Sequence, residues 1–91
     1  MTISAVKVAQ FMHYTPSEIG DEGLLVDSRE HLLVRLNGSA CRAWESLGRP
    51  TWAESCTDYA NAVGIETAQA EESLMAFVAQ AAERGWVTCE Q

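Results

Sequence analysis

The chain has 91 residues, 47% of them apolar, which suits one domain with a single modest core and argues against wholesale disorder. Thirteen Asp and Glu against six Lys and Arg give a net charge of −7, so the surface repels phosphate backbones and anionic lipid. No apolar run approaches the ~18 residues of a membrane span.

One domain over residues 1–91 is expected, with fraying at 1–4 and 89–91. The opening MTISAVKVAQFMHY has one Lys and no apolar stretch leading to a small-residue cleavage site. It does not read as a signal peptide, and a cytoplasmic location is expected. Val6 and Val8 alternate with Lys7 and Ala9, and FMHY continues the apolar tendency, which predicts a strand somewhere in residues 5–14. TPSEIGDEG is a polar loop with Pro16 and Gly20 as breakers. GLLVD (23–27) and HLLVRL (31–36) are apolar runs of strand length, and the polar DSRE between them reads as a hairpin loop.

Three amphipathic helices follow. Gly48, Gly64 and Gly85 each end a helical pattern, at the position where glycine takes left-handed backbone without steric cost. The first helix is N-capped by Asn37 and carries Ala40, Ala43, Trp44 and Leu47 at i, i+3, i+4, i+7. The second opens on a Thr51–Glu54 capping box and presents Trp52, Cys56, Tyr59, Ala60 and Val63 on one stripe. The third runs from near Thr67 to about Arg84, with Ala70, Leu74, Phe77, Val78 and Ala81 facing the core. Strands first and helices after make an α+β chain. Leu36 and Asn37 mark the corner between the two parts, and Trp44, seven residues beyond Asn37, lands on the buried face.

Chemistry-bearing patterns are missing. Cys41, Cys56 and Cys89 are odd in number and widely spaced, unlike a disulfide framework or zinc ribbon, and the first two read as small core residues. His13 and His31 lack partners at metal-ligand or catalytic spacing, and neither a catalytic triad nor a glycine-rich phosphate loop occurs. The chain reads as a non-enzyme that needs no metal or cofactor.

RLNGSACRAWESL resembles the signature of the PqqD-like family, the recognition elements of ribosomally made, modified peptides (RiPPs). In that family a strand ends in Leu-Asn and a short helix follows with a small residue and a Trp. Asn37, Ala40, Ala43 and Trp44 take those positions in order. The likeness continues through TWAESCTDYANAVGIETAQAEESLMAFVAQAAERGWV and covers about residues 20–88. The chain departs from the family where Gly often stands: at Ala40, and in the hairpin turn at Ser28 to Glu30.

The resemblance implies a winged helix-turn-helix-like fold: an N-terminal three-stranded antiparallel sheet and three helices. It implies binding of a precursor leader peptide, which adds as a strand to the edge strand and lies against the third helix. Presentation to a maturation enzyme then follows: the cysteine-protease subunit of a lasso-peptide pathway, favoured by the hairpin leading straight into the Trp helix, or a radical enzyme of pyrroloquinoline quinone-type biosynthesis. The site residues expected on this basis are Leu32, Leu33, Val34 and Arg35 on the strand, with Glu71, Met75, Val78 and Ala82 along one shoulder of the third helix. The same shoulder also reads as a widened core stripe, or as packing under the loop of residues 15–22. Leu36, Asn37, Trp44, Leu74 and Phe77 are the expected scaffold. A monomer is expected, with edge-strand dimerisation as its competitor. A DNA-binding winged helix shares the layout, but Glu71, Glu72 and Glu83 against Arg84 alone on the third helix oppose it.

Overall fold

The computed structural model describes residues 3–18 and 20–91. Its elements in chain order are β1 (Ala5–Val8), β2 (Met12–Pro16), β3 (Gly23–Asp27), β4 (Leu32–Leu36), α1 (Gly38–Ser46), α2 (Trp52–Val63), α3 (Thr67–Glu83) and β5 (Val87–Glu90). β2, β3 and β4 form an antiparallel sheet in that order, and the three helices follow it.

The N-terminal stretch differs from expectation. Where one strand is expected within residues 5–14 there are two: the chain turns after β1, where the Met12 N–H bonds the Ala9 carbonyl at 3.1 Å, and β2 begins. β1 leaves the main sheet and pairs with β5, so that Ala5 faces Glu90 and Val8 faces Val87. This extra pair escapes a sequence reading because each strand has four residues and the partners lie at opposite ends of the chain. Of the terminal residues expected to fray, 1 and 2 lie outside the described residues. Ser4 donates its N–H to the Glu90 carbonyl at 2.7 Å, and Lys7 pairs with the Glu90 carboxylate at 2.9 Å.

The β3–β4 hairpin closes without glycine. His31 takes the left-handed position, at φ 54°, a conformation His tolerates better than most residues. The Asp27 carboxylate stabilises the turn by accepting the N–H groups of Arg29 at 3.0 Å and Glu30 at 3.1 Å.

The helix signals hold. The Asn37 side chain accepts the Ala40 N–H at 2.9 Å, and the Thr51 hydroxyl accepts the Glu54 N–H at 3.2 Å. Gly48, Gly64 and Gly85 all adopt positive φ. After the last two, Ile65 and Trp86 return their N–H groups to the carbonyls of Ala60 and Ala81. Gly23 is required for another reason: a Cβ there would meet the Cys41 sulfur at 2.7 Å, so its absence lets α1 approach the sheet.

The core collects Val6, Leu25, Leu36, Cys41, Trp44, Cys56, Leu74, Val78 and Trp86 from both strand groups and all three helices. Trp44 is buried and packs edge-on against Phe77, ring centroids 6.5 Å apart, which fixes α1 against α3.

Candidate functional site

The sheet has two edges, β2 and β4, and hydrogen-bond parity shows what each offers. The Ser28 N–H bonds the Phe11 carbonyl, and the Glu22 carbonyl receives the Ser17 N–H. Even-numbered β3 positions therefore point their backbone groups at β2, and Gly23, Leu25 and Asp27 point theirs at β4. Their partners are Leu36, Val34 and Leu32, which leaves Leu33 and Arg35 with N–H and C=O directed off the free edge. On β2 the outward positions are Met12, Tyr14 and Pro16. Met12 spends its N–H on Ala9 and Pro16 has none, so that edge is blunted. The open edge is β4.

Beside it lies a groove of about 520 Å³ between β4 and α3. Leu32, Leu33, Val34, Arg35 and Leu36 form one wall; Phe77, Gln80, Ala81 and Arg84 form the other, with Ala40 and Trp86 completing it. Leu36, Val34 and Leu32 share the inward face of the strand. Leu36 is buried, yet Leu32 is 40% exposed, so that this row passes from the core into the open groove. Leu33, on the outer face, is 66% exposed, an unusual position for so large an apolar side chain. A second hollow of about 420 Å³, lined by Asp21, Ser39, Arg42 and Val63 among others, adjoins no strand edge.

The groove is held from behind. Trp44 braces Phe77, and the Trp86 indole donates to the Asp27 carboxylate at 3.2 Å. Elsewhere on α1, the Tyr14 hydroxyl donates to Glu45 at 2.5 Å. Burial first, and then that bond and contact with Cys41, keep the Tyr14 hydroxyl protonated well above the usual tyrosine range. Among the described residues, no group of three or more His, Cys, Asp and Glu is arranged to hold a metal.

The strand residues anticipated for the site, Leu32, Leu33, Val34 and Arg35, all line this groove. The helix residues do not. Val78 is buried in the core, and Glu71, Met75 and Ala82 lie on the opposite shoulder of the Leu74 stripe from Phe77, Gln80, Ala81 and Arg84. Glu71 sits close enough to Cys56 of α2 to raise its thiol pKa, which places that shoulder on the α2 side. Gln80, Ala81, Arg84 and Trp86 were missed as wall residues. Their i, i+1, i+4 and i+6 spacing is visible in the sequence, but which flank of α3 meets the sheet is set by tertiary packing.

The edge and groove span the segment that a known family shares. A family model described as coenzyme PQQ synthesis protein D (PqqD) matches residues 22–87, from β3 into the start of β5. The chain belongs to the PqqD family. PqqD proteins are non-catalytic, peptide-binding chaperones, and PqqD membership implies a precursor peptide and a maturation enzyme as partners. No curated protein and no solved structure matches the chain significantly. β1 and β2 precede the PqqD match, so the β3–β4 hairpin and the three helices carry the family pattern. No described helix is long and apolar enough to cross a membrane.

Proposed function

We propose that the chain binds the leader segment of a ribosomally made precursor peptide as a fourth strand on β4 and presents it to a lasso-type leader protease. The observation that carries the binding part of this reading is the open β4 edge, with the Leu33 and Arg35 backbone groups unpaired beside a largely apolar groove. Backbone pairing supplies affinity with little regard to sequence, and the groove supplies selection. The leader's inward side chains enter between Leu32, Val34 and Phe77, and its outward ones lie over Leu33 and Leu24. Functioning as a monomer follows, because self-pairing through β4 would occupy the same edge.

A second reading differs only in the enzyme. The family model is described by its part in coenzyme PQQ synthesis, which favours presentation to a radical enzyme.

Calorimetric titration with the leader of the precursor encoded beside this gene tests binding. Co-purification with each neighbouring maturation enzyme separates the two readings. A protease retained only in the presence of leader supports the first, and a radical enzyme retained in its place supports the second. A chain that binds no leader contradicts both.

A further inference from the structure

The six basic side chains divide by location. Lys7 pairs with Glu90, Arg29 with Asp27 and Glu30, Arg42 with Glu45, and Arg49 with Asp58. Arg35 and Arg84 have no carboxylate within 4.0 Å among the described residues, in a chain with 13 Asp and Glu. These two are the basic residues that border the groove, and among the described residues no acidic one lines it. A protein of net charge −7 thus has its two unpaired guanidiniums on either side of the open β4 edge, Arg84 on the groove wall and Arg35 on the outer face of the strand.

Their placement sets a spacing. Arg84 stands at the Leu32 end, its guanidinium 5.1 Å from the Trp86 ring centre, and with Leu32 and Trp86 it also lines the adjoining hollow, where Arg29 stands with Asp27 and Glu30, the two carboxylates it pairs with. Arg35 stands toward the other end and also borders a shallow hollow on the outer sheet face with Thr15, Glu22 and Leu24. Leu32 and Arg35 are three steps apart along the strand, about 10 Å at ~3.3 Å per residue. Residues three apart in an extended chain point to opposite faces, one into the groove toward Arg84 and one outward toward Arg35.

We propose that this groove selects an extended peptide bearing two carboxylates three residues apart, with apolar residues between them, one for Arg84 and one for Arg35. The inference rests on the strand-addition reading and adds the chemistry of the peptide. Arg favours such pairing because its planar fork binds a carboxylate in bidentate fashion, and the Trp86 ring holds the Arg84 fork in place.

Selection of a random dodecapeptide phage library on the immobilised chain tests it. The wild type should enrich peptides with Asp or Glu at i and i+3 around apolar residues, against the repulsion of its own net charge. The Arg35→Gln, Arg84→Gln double variant should still enrich apolar strand formers without the acidic pair. A selected acidic peptide should bind each single variant about three- to tenfold more weakly. On the wild type, raising the salt should weaken that peptide and leave its Gln isostere nearly unchanged, a reading that needs no variant. Apolar peptides enriched without acids, or acids enriched equally by the double variant, overturn the charge rule and leave strand addition standing. If the chain retains no peptide at all, strand addition falls with it.

Discussion

The Asp27 carboxylate, 1% exposed, receives the indole N–H of Trp86 at 3.2 Å across 59 residues of chain. The same carboxylate accepts the Arg29 and Glu30 N–H groups and faces the Arg29 guanidinium at 3.5 Å. One side chain therefore joins the turn that ends the β4 edge to the Trp that closes the groove. Asp27→Ala strips these partners and leaves a buried indole N–H unsatisfied, so urea unfolding should show a loss of about 2–4 kcal/mol. Trp86→Phe removes the indole donor and part of a buried ring, leaves that carboxylate oxygen only the Arg29 guanidinium, and should cost about 1–3 kcal/mol. In the double variant the losses should fall short of additive, since both remove one shared bond.

Backbone parity predicts opposite outcomes for neighbouring prolines. Leu33 directs its N–H off the edge, so Leu33→Pro should fold and lose leader affinity by at least about tenfold, or ~1.4 kcal/mol. Val34 directs its N–H at β3, so Val34→Pro should cost roughly 3 kcal/mol of stability. Thermal melts paired with calorimetric titration read both effects, and a Leu33→Pro variant that binds normally would place the leader elsewhere.

The two flanks of α3 should respond differently to an added charge. Gln80 is exposed on the groove wall, and Met75 is exposed on the other shoulder. Gln80→Glu should weaken leader binding about tenfold by setting a carboxylate against an apolar or acidic peptide. Met75→Glu should change it by less than about threefold, and both variants should melt near the wild type, as exposed helix substitutions do. The reverse order would restore the Glu71, Met75 and Ala82 shoulder as the peptide wall.

Burial, and secondarily the neighbouring Glu71 carboxylate, push the Cys56 thiol up to about 11 from an ordinary value of about 9. The folded chain then keeps a proton that the unfolded chain releases. This contribution to stability is whole below pH ~9 and is lost as the pH rises through ~11. Denaturant midpoints across that window should fall less steeply for Cys56→Ala than for the wild type. An identical slope would show that other groups govern the alkaline loss.

Much of this architecture was legible because local signals and global packing agree. Asn37, Thr51 and the glycines at 48, 64 and 85 each announce a helix end through their own backbone chemistry. The Leu36-Asn37 corner and buried Trp44 follow from the 3.6-residue period, and the β3–β4 hairpin from two apolar runs around a polar turn. What could not be read depended on long-range pairing. β1 and β5 are too short to show a period, and they join opposite ends of the chain. The groove wall is similar: Leu74 fixes the centre of the α3 core stripe, but α2 occupies one shoulder and the sheet the other only after the helices dock. Arg84 was visible as the single basic residue near the α3 terminus. Its role depends on Arg35, also unpaired, standing across the same β4 edge, a juxtaposition that only the folded chain creates.

The central claim is that a leader peptide pairs with the backbone of β4, and amide hydrogen exchange reads that backbone directly. In the free chain the Leu33 and Arg35 amides should exchange fast while those of Leu32, Val34 and Leu36 are protected by β3. Saturating leader should slow Leu33 and Arg35 sharply and leave the outward Tyr14 amide of β2 unchanged. Leader that binds while Leu33 and Arg35 go on exchanging fast would contradict strand addition on this edge.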